Sequence, residues 1–168
     1  MYLTIRALHV LCGAVWVGAA VIGTLWLVPM TGDLGPDAAK VAASLKRRGY
    51  LVAIPVIAMT AILTGFWLYW RFTGGFSPEV SRTPAAMAFG TGGILAVLGF
   101  LVGSLVISRS MMRAAALMQQ ALSSSAENDK RRLMAVAGGL RNRAAVAGRI
   151  VAVLVVITIV LMSIGHYL

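Results

Sequence analysis

Acidic side chains are scarce in this 168-residue sequence, and none of them lies inside a long apolar run. Carboxylates within a membrane are typical of proton relays and pumps, so their position here argues against both functions. The five acidic residues are Asp33, Asp37, Glu79, Glu127 and Asp129.

Cysteine is limited to Cys12, so the chain cannot form a disulfide within itself. The sequence also lacks a Ser/His/Asp set, a phosphate-binding loop and a zinc motif. An enzyme acting on a soluble substrate is therefore the least expected function. The segments that would lie outside the membrane are short and supply few reactive groups.

Charged residues make up only 12% of the chain, whereas a soluble domain has about 25%. Hydrophobic residues make up 60%, and the mean hydropathy is +0.88. This composition predicts an integral membrane protein.

Four apolar runs are each long enough to cross a bilayer as a helix, since about 20 residues span its hydrocarbon core. We therefore predict an all-α fold, an antiparallel four-helix bundle that forms one membrane domain over residues 1–168. Small residues at four-residue spacing in the third run, such as Ala88, Gly92 and Ala96, favour close helix packing. The predicted spans are 7–29, 50–72, 85–108 and 146–168.

The connection at about 109–143 is polar but keeps the periodicity of a helix. One apolar stripe comes before the serines at 123–125 and a second comes after them. We predict an antiparallel helical hairpin outside the membrane that continues the third and fourth spans. The stripes consist of Met111, Ala115, Met118 and Leu122, and of Leu133, Val136, Ala137 and Leu140.

The connection 30–49 predicts a short amphipathic helix at the membrane surface. Pro36 suits a first helical turn, and Asp37 suits the positive end of the helix dipole.

Basic residues divide unequally between the two sides of a four-span protein. Twelve fall on the side of the connections 30–49 and 109–149, and only Arg6, Arg71 and Arg82 fall on the side of the termini. The positive-inside rule then places both connections in the cytoplasm and both termini outside, in a bacterial cytoplasmic membrane. Nucleic acid is not an expected partner, because no aromatic residues accompany the basic ones at 109–149. The twelve are Lys40, Lys46, Arg47, Arg48, Arg109, Arg113, Lys130, Arg131, Arg132, Arg141, Arg143 and Arg149.

The two histidines lie at matching depth near the outer face. His9 is third in the first span, and His166 is third from the end of the fourth. Cys12 shares a helix face with His9, and Met162 shares one with His166, because residues three or four apart are neighbours on a helix. Polar groups inside a membrane are rare and suggest a function.

Two cofactors fit this pattern. Haem b would use His9 and His166 as axial ligands, because imidazole commonly ligates haem iron in helix bundles. Copper would use the same two histidines with Cys12 and Met162, because sulfur ligands favour Cu(I).

A third possibility involves no cofactor. Histidine near a membrane interface often reaches a headgroup or a backbone carbonyl, and Cys12 and Met162 suit apolar packing. The protein would then be an accessory subunit that packs against a larger membrane complex.

The stretch ALHVLCGAVWVGAA places a histidine early in the first span and the triplet Trp16-Val17-Gly18 seven residues later. It resembles small bacterial membrane proteins that include the membrane domain of copper-resistance protein D, HemJ-type protoporphyrinogen oxidases and uncharacterised four-helix relatives. The resemblance extends over TGFWLYW (64–70) and LGFLVGSLVIS (98–108). It implies a four-helix bundle, an association of His9 with haem, and copper handling as the alternative.

Overall fold

The computed structural model describes the backbone of residues 1–34 and 38–168, and their side chains except at 31, 32, 38, 39 and 42. The predicted roles of Pro36 and Asp37 lie outside the described residues. Within the described part the secondary structure is helical, without strands. The α-helices are α1 (Tyr2–Ile22), α2 (Val28–Asp33), α3 (Ala38–Arg47), α4 (Tyr50–Phe72), α5 (Pro78–Ser81), α6 (Pro84–Val102), α7 (Ser108–Ser123) and α8 (Glu127–Ile164).

Four continuous helices are long and apolar enough to cross a membrane, which confirms the number of predicted spans. They run over Tyr2–Met30, Tyr50–Phe72, Pro84–Ser123 and Glu127–Tyr167. The last two contain 40 and 41 residues. At 1.5 Å per residue each is about 60 Å long, twice the thickness of the hydrocarbon core. Both therefore extend well beyond the apolar segment they contain.

The four long helices contact one another in sequence order, and α1 also contacts α8. Their shared core contains Trp16 of α1, Ala58 and Ala61 of α4, and Val151 and Val155 of α8. Helix α6 joins this core through Phe100, whose ring lies edge-on to Trp16 with the centroids 6.5 Å apart. The helices that carry the two histidines are therefore neighbours.

Glycines bring α6 and α8 close together, as the small-residue spacing predicted. A Cβ added to Gly92 would lie 3.1 Å from the Met162 Cε atom, and one added to Gly99 would lie 3.5 Å from Val155 Cγ1. The Thr158 hydroxyl is shared between the carbonyl oxygens of Leu154, at 2.9 Å, and Gly92, at 3.2 Å.

Helices α7 and α8 pack along each other and form the predicted hairpin helices, but the predicted stripe on α7 is not the packing face. Met111 is 49% exposed and Leu122 is 73% exposed. The buried residues are smaller, because small side chains allow two helices to approach closely. They are Ser110, Ala114 and Ala121 on α7, with Ala137, Ala144 and Ala147 on α8.

Two π-helical turns interrupt the membrane-spanning helices, at Gly23–Leu27 and at Gly103–Ile107. Each begins at a glycine, and both contact α8. The first brings Thr24 close to α8, where a Cβ added to Gly148 would lie 3.3 Å from the Thr24 hydroxyl oxygen. A π turn holds one more residue than an α turn and often marks a functional region.

Candidate functional site

The His9 imidazole lies in the interface between α1 and α4. Its Nδ1 is 2.9 Å from the carbonyl oxygen of Ala61 and 3.4 Å from the Thr64 hydroxyl. That hydroxyl donates its proton along its own helix, to the carbonyl of Thr60 at 2.6 Å. His9 Nδ1–H therefore donates to Ala61, and the lone pair of the neutral ring resides on Nε2.

Gly65 provides the surface on which the His9 ring lies. A Cβ added to Gly65 would be 2.7 Å from His9 Cε1 and 3.1 Å from Nδ1. Any side chain at this position would displace the ring, so the orientation of His9 depends on a glycine one turn after Ala61.

His166 lies in a 3₁₀ turn, Gly165–Tyr167, that follows α8. Arg6 Nη2 is 3.0 Å from His166 Nε2. A guanidinium only donates, so Nε2 accepts and its lone pair is engaged. The ring also lies edge-on to Phe89 of α6, with the centroids 5.3 Å apart. His166 thus connects the end of α8 to α1 and α6.

The other two predicted ligands lie in apolar packing. Cys12 is partly buried against the core around Trp16, and the methyl group of Met162 packs on Gly92. In the part of the chain that the structure describes, no three His, Cys, Asp or Glu side chains converge as a metal site. A copper site built from His9, His166, Cys12 and Met162 stays a prediction that would require these contacts to rearrange.

Arg6, which in the sequence is only one of three basic residues on the side of the termini, also lies at this site. It precedes His9 by three positions, so both residues project from neighbouring positions on α1. This spacing is the sequence feature that could have indicated a role for Arg6 beside His9. The contact with His166 was not predictable from sequence, because 160 positions separate the two residues.

Open space next to His9 is found one turn further into the membrane. A Cβ added to Gly13 would have no neighbour within 4 Å, and the same holds at Gly18. Gly13 follows His9 by four residues and shares its face, whereas Gly18 follows it by nine and lies on the opposite face. Two surface depressions, one along α1 at Leu3–Ala14 and one on α8 at Arg149–Leu154, do not include His9.

No protein-family model, curated protein or solved structure matches this chain. The resemblance to the copper-resistance D and HemJ-type group stays a prediction that depends on the residues of the first three spans.

Proposed function

We propose that this protein binds haem b in the membrane and that His9 Nε2 ligates the iron. The observation that carries the proposal is the hydrogen bond from His9 Nδ1–H to the Ala61 carbonyl. Metal-ligating histidines usually donate their second ring N–H to a carbonyl or a carboxylate, which fixes the tautomer and makes the ligating nitrogen more basic. When bound, haem supplies one-electron redox chemistry.

The residues around His9 fit this group in two respects. The donor is a neutral imidazole whose orientation is fixed by Ala61 and Gly65. The adjacent position on the same face, Gly13, leaves space beside α1. A macrocycle needs such space next to its axial ligand.

The proposal uses one histidine rather than two. Ligation by His166 as well stays a prediction, and it would require Nε2 of His166 to give up its hydrogen bond with Arg6. His9 would then be the one residue of this chain that holds the group.

The visible absorbance spectrum of the detergent-purified protein, oxidised and reduced, tests the proposal. We expect a haem spectrum of the five-coordinate, high-spin type in the wild type and in His166→Ala, and its loss in His9→Ala. A sharp low-spin α-band that disappears in both variants would instead establish the two-histidine site. Absence of any haem band in a haem-replete preparation would refute the proposal. Metal analysis would then separate a copper protein from a cofactor-free accessory subunit.

The open space at Gly13 gives a second test that leaves the ligand intact. We expect Gly13→Leu to lower haem occupancy severalfold, because the new side chain occupies the space beside His9. Gly18→Leu is the matched control, since its space lies on the opposite face. Equal haem occupancy in the two purified variants would place the macrocycle elsewhere.

We further propose that the four helices form an antiparallel bundle in a bacterial cytoplasmic membrane, with both termini outside and the α7–α8 hairpin in the cytoplasm. The contacts between consecutive helices and the excess of basic residues on the hairpin side support this arrangement. As its partner we propose a redox protein in the membrane or a larger membrane complex, because haem supplies one-electron chemistry.

A further inference from the structure

The Arg6 guanidinium lies at the outer end of α1 and is exposed. Its hydrogen-bond partner is the His166 imidazole, and no carboxylate among residues 1–34 and 38–168 pairs with it. By contrast, Arg131 in the hairpin forms an ion pair with Glu127. Among the described residues, Arg6 therefore has no acidic counter-ion.

The Arg6 guanidinium and the His166 ring, both exposed, contact each other. Nη2 is directed to His166 Nε2, and the His166 ring is itself held edge-on against Phe89. Arginine has five N–H donors, so four remain after this bond. Such a planar set of donors binds a carboxylate or a phosphate in bidentate fashion. His166 is thus a positioning residue for Arg6.

Arg6 also lies close to the proposed ligand of the iron. It precedes His9 by three residues, which is about 4.5 Å along the helix axis. A group bound at His9 and an acid group extending from it toward the outer surface would therefore meet Arg6 within one helical turn.

We propose that Arg6, positioned by His166, binds a propionate carboxylate of the haem held by His9. This inference rests on the proposed function. It assigns His166 to orientation of the cofactor at the membrane surface rather than to the iron. It also accounts for a cation at the outer end of α1 that has no acidic partner in the described part of the chain.

The test compares two probes, hemin and hemin dimethyl ester, in which the propionates are respectively charged and methylated to neutral esters. Binding to the detergent-purified apoprotein is followed by absorbance titration. We expect the wild type to bind hemin about tenfold more tightly than the ester, which is the effect of one charge-assisted hydrogen bond. Arg6→Gln should remove this preference and Arg6→Lys should keep part of it. His166→Gln should reduce it. Arg82→Gln, at another exposed outer arginine, should leave it unchanged.

Each result separates this inference from the proposed function. If hemin and the ester bind the wild type equally, and both are lost in His9→Ala, haem binding stands and the role of Arg6 is wrong. If neither probe binds, both proposals are wrong. A phospholipid phosphate offers the same chemistry, so the titration is repeated with added phosphatidylglycerol. Loss of the hemin preference with that lipid would assign Arg6 to a headgroup and overturn the propionate assignment.

Discussion

His9 shows how a membrane protein accommodates an imidazole in an apolar helix. Its Nδ1–H needs an acceptor, because an unsatisfied polar group in hydrocarbon is costly. The Ala61 carbonyl on the neighbouring helix supplies it, 2.9 Å away. This bond holds α1 against α4 and also determines which nitrogen carries the lone pair, so one contact serves both packing and chemistry.

Gly65→Ala should disturb this arrangement although it adds a single methyl group. The new Cβ would displace the His9 ring, whose Cε1 lies 2.7 Å from it, and break the bond to Ala61. We expect a loss of about 1 kcal/mol in stability, the value of one hydrogen bond, and a weaker haem spectrum.

Gly93→Ala on α6 is the control for this substitution. A Cβ there meets nothing within 4 Å, so alanine should be neutral or stabilise the helix by about 0.5–1 kcal/mol. Thermal unfolding in detergent measures both variants. If both raise the melting temperature, Gly65 does not support the His9 ring.

Sequence alone could single out His9 at this scale but not its partner. A histidine in an apolar run is conspicuous because such residues are rare. The acceptor, however, is a main-chain carbonyl, which every residue carries, and only the packing of α1 on α4 selects that of Ala61. The contact between Arg6 and His166 likewise depends on packing, here of α1 against α8, because 160 positions separate the two residues in the sequence.

The helices themselves were largely predictable, with one systematic difference in their lengths. The second span, predicted at 50–72, coincides with α4 (Tyr50–Phe72). The first span was predicted to begin at residue 7, whereas its helix begins at Tyr2. The fourth span was predicted at 146–168 with a hairpin helix continuing into it, and α8 (Glu127–Ile164) is one helix over both parts. Hydropathy reports where lipid begins, but a helix continues as long as its backbone bonds and packing allow.

The small buried residues of α7 and α8 form the seam between these two helices, and Ala121 in this seam gives a prediction for α7. Ala121 is fully buried there, so Ala121→Leu would insert a large side chain between closely packed helices. We expect a loss of about 1–3 kcal/mol, by analogy with overpacked cores.

Ala116→Leu provides the matched control on the same helix, because Ala116 is exposed. Amide hydrogen exchange in α7 and the first half of α8 measures the stability of the hairpin locally. Similar protection in the two variants would show that the helices do not pack along Ala121.

At the scale of the whole molecule, the proposed orientation is based on the unequal distribution of basic residues. We expect Glu79→Cys, in the Cys12→Ser background, to react with a membrane-impermeant maleimide on intact cells. Ser125→Cys, between α7 and α8, should react only after the membrane is opened, because the basic side of a membrane protein stays in the cytoplasm. The reverse pattern would invert the proposed topology and place the histidines at the inner surface.

The π turn at Gly103–Ile107 has a consequence for how this chain tolerates changes of length. The turn contains one residue more than a regular α-helical turn, and the hairpin helix α7 follows directly after it. The wider turn takes up the extra residue, so α7 keeps about the same rotation that an uninterrupted α-helix one residue shorter would give it. The same extra residue inserted into a regular α-helix would rotate everything beyond it by about 100°, and Ala114 and Ala121 would then turn away from α8. The irregular turn thus lets the chain be one residue longer at this point while α7 keeps its packing on α8.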